Sequence, residues 1–228
     1  VAMIDWRMDD LERESVRLGD AVVAHRLDVT DRTGWRRVKD EVEAALRPVE
    51  ILVNNAGIGP AIGALADMTP ESFDRMVSIK LTGTFNGIQL FAAGMRERGE
   101  GHIVNTASLA GITTIPMLGA YTAAKFGVVG LSEVLRAEMA PHGVGVSVLC
   151  PGLVSTNLVR NSADNHEDAD STSMAGGLDP AIVGRQVLDA VRADELYIIT
   201  HSDTRLMVSD RVDQLLAAFD SAPRFEQA

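Results

Sequence analysis

The chain is short of cysteine, of clustered positive charge and of long apolar runs, and each shortage removes a class of protein. A single cysteine, Cys150, in 228 residues leaves no internal disulfide. That suits a reducing compartment, so a cytoplasmic setting is expected. Cys150 ends the apolar run 146–150, where a small buried hydrophobe is the expected role rather than a nucleophile. Lys and Arg number 21 against 32 Asp and Glu, a net charge of -11, and no basic cluster interrupts the excess. Nucleic acid and anionic membrane surfaces need such clusters and are not expected partners. No apolar run approaches the ~20 residues of a membrane-spanning helix. No charged-then-apolar signal segment opens the chain, and repeats and low-complexity tracts are missing too. What remains, with 46% hydrophobic residues, is enough for one well-buried α/β domain and short for two.

Apolar runs alternate with helical periods, the pattern of a parallel sheet covered on both faces. Strands are expected at 1–5, 21–29, from Glu50 into a turn at Asn54 to Gly57, and at 102–108, 145–150 and 196–200. Helices are expected through Leu11 and Leu18, at 31–46 behind Asp31 as N-cap, and at 70–98, 121–140, 180–191 and 206–219. The expected fold is therefore a single doubly wound α/β domain. The long helix at 70–98 carries Phe73, Met76, Val77, Phe85, Ile88 and Met95 on broadly one side, more than one sheet face covers, which favours a partner helix from a second copy.

The chemistry concentrates in 108–125. Tyr121 and Lys125 are spaced i and i+4 at the start of a helical run, so both project from one face. An ammonium within a few Å lowers a neighbouring acid by about 1–3 units, which would bring a phenol toward neutrality. Ser108 ends the preceding strand-like run, where its hydroxyl is placed to hold a substrate oxygen beside that phenol. A Tyr/Lys pair on one helix face is most often only a packed, solvated pair. What gives this one weight is the rest of the chain.

At these residues the sequence resembles the short-chain dehydrogenase/reductase family, whose signature is a serine thirteen residues before Tyr-x-x-x-Lys, here Ser108, Tyr121 and Lys125. The resemblance implies a Rossmann-like fold and reversible hydride transfer between a nicotinamide and an alcohol or ketone carbon. Ser108 would hydrogen-bond the substrate oxygen, Tyr121 would exchange its proton, and Lys125 would lower the Tyr121 pKa and grip the nicotinamide ribose. Asn54-Asn-Ala-Gly matches the family's small-residue turn, with Asn54, Ala56 and Gly57 against the dinucleotide. Leu27-Asp-Val-Thr resembles its adenine contact, through Asp28 and Val29, although Asp28 also suits a plain helix N-cap. Cys150-Pro-Gly-Leu-Val-Ser-Thr resembles the segment over the nicotinamide, through Pro151, Gly152, Val154 and Thr156; a strand-ending Pro-Gly turn is the ordinary reading.

Asp5, at the end of its strand, is placed to accept from both adenosine ribose hydroxyls and to repel a 2′-phosphate, so NAD is expected over NADP, with Arg7 as the counter-signal. The segment 157–178 sits where the family has its lid and is acidic, which disfavours anionic substrates. Leu109, Pro116, Met117, Leu118 and Leu153 form an apolar set suited to a neutral secondary alcohol or ketone, or alternatively belong to the core. His201, just beyond the last strand, reads as a surface histidine, with a place in the pocket lining as the alternative. Family members often form tetramers, so a homotetramer or homodimer is expected. Two departures stand out. The family's first strand and Gly-rich loop do not precede Val1, so an incomplete N-terminus is expected, with two sheet neighbours left unpaired. Lys80 occupies the position of an asparagine that holds a relay water in many members, so it enters the candidate catalytic set; a Lys80 that snorkels outward and leaves the relay to water is the alternative. A noncatalytic binding or scaffold protein on the same fold is the alternative reading, and an epimerase or dehydratase a weaker one.

Overall fold

A computed structural model describes residues 1–156, 158 and 176–223. Six strands form, β1 (Ala2–Asp5), β2 (Val23–Arg26), β3 (Ile51–Asn54), β4 (Gly101–Thr106), β5 (Val144–Cys150) and β6 (Tyr197–Ile199). Every pairing is parallel, β1 with β2 and then β3-β4-β5-β6 in order. β5 is buried at every residue, as expected of an apolar run covered by helices on both faces; Cys150 at its end is one of those residues. β2 is shorter than its apolar run. Gly19–Ala21 coils into a 3₁₀ turn before it, and beyond it Asp28 Oδ1 accepts from the Thr30 N–H and Oγ1, both at 2.8 Å, bending the chain.

Among the described residues no ladder joins β1 to β3. Ile51 and Val53 of β3 stay half exposed. β1 and β3 nevertheless border one crevice, lined by Ile4 and Asp5 together with Leu52, Asn54 and Asn55. The parallel α/β architecture is as expected from the sequence, including the pair of strands left without a neighbour between them.

The helices are α1 (Met8–Leu18), α2 (Arg32–Ala45), α3 (Pro70–Val77), α4 (Gly83–Arg98), α5 (Gly119–Met139), α6 (Pro180–Ala193) and α7 (Arg205–Asp220). Their starts are chemically marked. Asp31 caps α2 through the Thr33 N–H, Thr69 caps α3 ahead of Pro70, and Asp179 caps α6 ahead of Pro180. None of the described helices is long and apolar enough to cross a membrane.

The expected single helix at 70–98 is interrupted by a π-helical turn, Ser78–Thr82. The wider turn shifts the two halves against one another, so the expected single stripe divides. Met76, Ile88 and Met95 enter the core, while Phe73 and Phe85 remain 39% and 42% exposed. Trp35 of α2 meets Phe91 of α4 edge to face, 6.2 Å between centroids.

Through the centre runs a buried polar chain. Asn54 Nδ2 donates to Asn105 Oδ1 at 2.8 Å, Asn105 Nδ2 donates to Ser132 Oγ at 3.0 Å, and Ser132 Oγ donates to the Val128 carbonyl at 2.7 Å. It ties β3 to β4 and β4 to α5, which fixes how α5 sits on the sheet.

Candidate active site

The carboxyl ends of the strands gather the residues singled out from the sequence, as an open parallel sheet requires of a ligand site. After β4 the chain is extended at Ser108, then enters a 3₁₀ turn, Leu109–Gly111, whose Ala110 N–H donates to Ser108 Oγ at 3.1 Å. Tyr121 and Lys125 lie in the first two turns of α5. Lys125 Nζ donates to the Thr106 carbonyl at 2.6 Å, joining α5 to the end of β4. Ser108 and Lys125 are buried, and the Ser108 hydroxyl is close enough to the Tyr121 phenol to draw its pKa down. The structure thus brings the three together.

The electrostatics differ from the sequence argument. The Tyr121 phenol is pushed above its ordinary value, because burial strips water from the phenolate, and the Ser108 hydroxyl pulls only part of the way back. The Lys125 ammonium, 5.8 Å from the ring centroid, is itself weakened, since burial lowers its pKa from 10.5 to about 8, with the Cys150 thiolate form pulling the other way. Desolvation therefore outweighs the attraction that i,i+4 spacing alone suggests.

This has a measurable consequence. A lysine whose folded pKa is depressed binds fewer protons than in the unfolded chain, so its burial cost is fully present below about 8 and is lost as pH climbs to 10.5. Wild type is expected to gain stability on Lys125→Met across that window, by about 3 kcal/mol at most. Urea midpoints of the two proteins against pH would measure it, and a constant difference would contradict the buried cation.

Lys80 is 2% exposed. It sits in the π turn with Nζ 4.7 Å from the Tyr121 centroid and so close to the next turn that a Cβ on Gly57 would meet it at 3.1 Å. It does not snorkel outward. Burial first, and the Lys125 charge second, hold it well below the usual lysine range.

Asp5, Val29, Asn54 and Ala56 line the crevice between β1 and β3. Asp5 Oδ1 accepts from the Arg7 N–H at 2.9 Å, and the Arg7 guanidinium pairs with Asp10 at 2.9 Å. Asp28 is not the N-cap of α2; Asp31 is, three residues on, and Asp28 holds the turn before it. The Val29 carbonyl accepts from Trp35 Nε1 and Asn86 Nδ2, both at 2.9 Å. Asn54 spends its amide on the buried chain through Asn105, a structural use that the sequence reading did not anticipate.

On the opposite side, the Pro151 carbonyl accepts from the Leu109 N–H at 2.8 Å, and the Gly152 N–H donates to Thr200 Oγ1 and His201 Nδ1, both at 3.2 Å. A Cβ on Gly152 would strike the His201 ring at 2.8 Å. His201 is therefore a prop of the Pro-Gly turn rather than a surface histidine, and its place just past a strand's carboxyl end was the available signal. Val154 bridges to Leu178, and Thr156 is exposed. Of the expected lid at 157–178, residues 157 and 159–175 lie outside the described residues. Leu109 and Leu118 are half-buried, and Pro116, Met117 and Leu153 are exposed, so none of the five belongs to the core. Met117 takes a left-handed backbone, φ 69°, a conformation that costs a non-glycine residue on the order of 1 kcal/mol and gathers at binding sites.

The profile of the short chain dehydrogenase family matches residues 1–167. The chain belongs to this family. Among its relatives, the inactive 2-(S)-hydroxypropyl-CoM dehydrogenase 2 of Xanthobacter autotrophicus is 37% identical over 186 residues, 81% of this chain and 80% of that one. The probable oxidoreductase EphD of Mycobacterium tuberculosis is 35% identical over 168 residues, 73% of this chain but only 28% of that protein. The chain thus spans under a third of that longer relative. A short chain dehydrogenase/reductase from Burkholderia phymatum, solved in complex with NAD, superposes with a TM-score of 0.86 at 26% identity, covering 100% of this chain and 88% of that one. The positions of Ser108, Tyr121 and Lys125 follow from β4 and α5, and Lys80 reaches the same ring from the π turn.

Proposed function

We propose that the protein is an oxidoreductase that moves a hydride between NAD(H) and a neutral secondary alcohol or ketone. The observation that carries the reading is the convergence of Ser108, Tyr121 and Lys125 at the carboxyl edge of the sheet, opposite the Pro151-Gly152 turn. The residues present fit a dinucleotide. Asp5 and Val29 offer polar groups at one end of the crevice, and the small Ala56 and Gly57 let backbone approach in the middle. Asp28 lies near the adenine end and Asn54 at the crevice floor. At the other end are Tyr121, Lys125 and the segment of Pro151, Gly152, Val154 and Thr156. When bound there, the nicotinamide supplies the hydride chemistry and the chain supplies position and charge.

In oxidation, Tyr121 receives the hydroxyl proton of the substrate while Ser108 holds the same oxygen; in reduction both roles reverse. Lys125, fixed by Thr106, keeps a positive charge beside the phenol. Leu109, Met117, Leu118 and Leu153 give the substrate an apolar wall, and the acidic composition of 157–178 disfavours anionic substrates. Asp5 and the engagement of Arg7 by Asp10 both favour NAD over NADP. A groove along Leu81, Phe85, Gly127, Gly130 and Val134 between α4 and α5 is the face for a homodimer or homotetramer contact, and a cytoplasmic setting fits the lone buried thiol.

The test is an oxidation screen of neutral secondary alcohols by the full-length protein, with NAD and with NADP. Turnover with NAD at least about tenfold faster is expected, and Asp5→Asn should narrow that ratio, since a single charge contact is worth ~1–2 kcal/mol. The alternative is a noncatalytic NAD-binding protein, and the raised Tyr121 phenol together with a relative whose name says inactive favours it. A change in NADH fluorescence without turnover of any alcohol would decide for the alternative.

A further inference from the structure

The chain has three lysines, Lys39, Lys80 and Lys125, and two of them stand buried beside one tyrosine. Lys39 pairs with Glu43 on α2. Neither Lys80 nor Lys125 has a carboxylate partner among the described residues, and both Nζ atoms lie within 5.8 Å of the Tyr121 centroid. Two ammonium groups in one wall, without an anion between them, repel each other and lack water, which disfavours charge on both at once. Lys125 is the better held of the two, because its Nζ has the Thr106 carbonyl as acceptor at 2.6 Å. Lys80 is turned inward by the π turn, a helix irregularity that recurs at functional sites.

The surroundings of Lys80 are simple. α5 presents Tyr121 and Lys125 to it, and the turn at 55–57 brings no ionisable side chain. Glu71, Asp74 and Arg75 of α3 and Arg96, Glu97 and Arg98 of α4 are exposed. Among the described residues, Lys125 supplies the charge that acts on Lys80. The amine lies against Gly57, whose neighbours Asn55 and Ala56 are exposed, so a proton there is close to water.

We propose that Lys80 is the proton relay of this site: its uncharged amine takes, through one bridging water, the proton that Tyr121 has received from the substrate alcohol, and releases it to solvent under the Gly57 turn. The Tyr121 O–H bond breaks and an N–H bond forms on Lys80, the electron pair stays on the phenolate, and the resulting ammonium then gives its proton to bulk water. This rests on Tyr121 being the group that exchanges the substrate proton. It accounts for a lysine that the π turn holds inward, 4.7 Å from the Tyr121 ring centroid and against the Gly57 turn, with no carboxylate partner among the described residues.

The experiment uses the full-length protein, with kcat for alcohol oxidation measured against pH for wild type, Lys80→Met and Lys80→Arg. Lys80→Met is expected to lower kcat at neutral pH roughly tenfold or more, to leave the KM for NAD within about twofold, and to move the rise of the profile to higher pH. Lys80→Arg, permanently charged, should not restore the rate. Restoration by arginine would show that Lys80 works as a cation over the ring and would overturn the relay. In protein labelled with ¹³C at the lysine ε carbon, the Lys80 signal should titrate below the ordinary lysine range and move up in Lys125→Met; a Lys80 signal that titrates in the ordinary lysine range, or that Lys125→Met leaves unmoved, would overturn the shared charge. A wild type that oxidises no alcohol defeats the oxidoreductase reading itself. A wild type that does, with an unmoved Lys80→Met profile, defeats the relay alone.

Discussion

Tyr121→Phe is expected to lower kcat for alcohol oxidation by at least about 10³-fold, roughly 4 kcal/mol in the transition state, while NADH binding stays within about twofold. Phenylalanine keeps the ring against Lys80 and Lys125 and removes only the oxygen that carries the proton. The cofactor contacts proposed for Lys125 and the Pro151-Gly152 turn are untouched. Ser108 alone cannot replace the phenol, because a hydroxyl that is not acidified neither gives nor takes a proton readily near neutral pH. The split between rate and binding is the informative part, since a variant that merely unfolded would lose both. Tyr121→Phe with wild-type turnover would remove Tyr121 from the mechanism.

Asn105→Ala is expected to cost about 3 kcal/mol of stability. Asn105 is fully buried, accepting from Asn54 Nδ2 and donating to Ser132 Oγ. Its loss leaves Asn54 Nδ2 without its acceptor, removes one of the two partners of Ser132 Oγ, and opens a void in a closed interior. The neighbourhood has no slack to refill the void from that side, as a Cβ on Gly87 would already lie 2.2 Å from Asn54 Oδ1. Urea denaturation would read the loss as a lower midpoint at unchanged slope. Activity should fall as well, since the chain through Asn105 holds α5 and hence Tyr121 in register with β4. A loss under about 1 kcal/mol would mean that water enters and satisfies Asn54 and Ser132.

Much of this was legible in the sequence, for identifiable reasons. β5 and β4 read as strands because Val-Gly-Val-Ser-Val-Leu-Cys and Ile-Val-Asn-Thr are apolar without helical period, and burial on both faces demands that. Ser108, Tyr121 and Lys125 were found by spacing, which the strand-to-helix connection preserves. The π turn was not legible, because one extra residue in a helical turn leaves no compositional mark. Phe73 and Phe85 were accordingly assigned to the same face as Met76 and Met95. The direction of the Tyr121 shift was misread for a related reason: spacing gives the distance to Lys125, whereas the cost of burial depends on everything packed around the phenol. Asn54 and Asn105 come from β3 and β4, 51 residues apart, so their pairing is a tertiary fact.

The irregular turn at Ser78–Thr82 also couples two properties that are usually separable. Each residue advances a helix by about 100°, so deleting one there would swing Phe85 away from the surface and carry Lys80 out of the wall in the same motion. The self-association proposed along α4 and the relay proposed for Lys80 would then change as one trait, and a single-residue deletion series through the turn should never yield a protein that has lost one and kept the other.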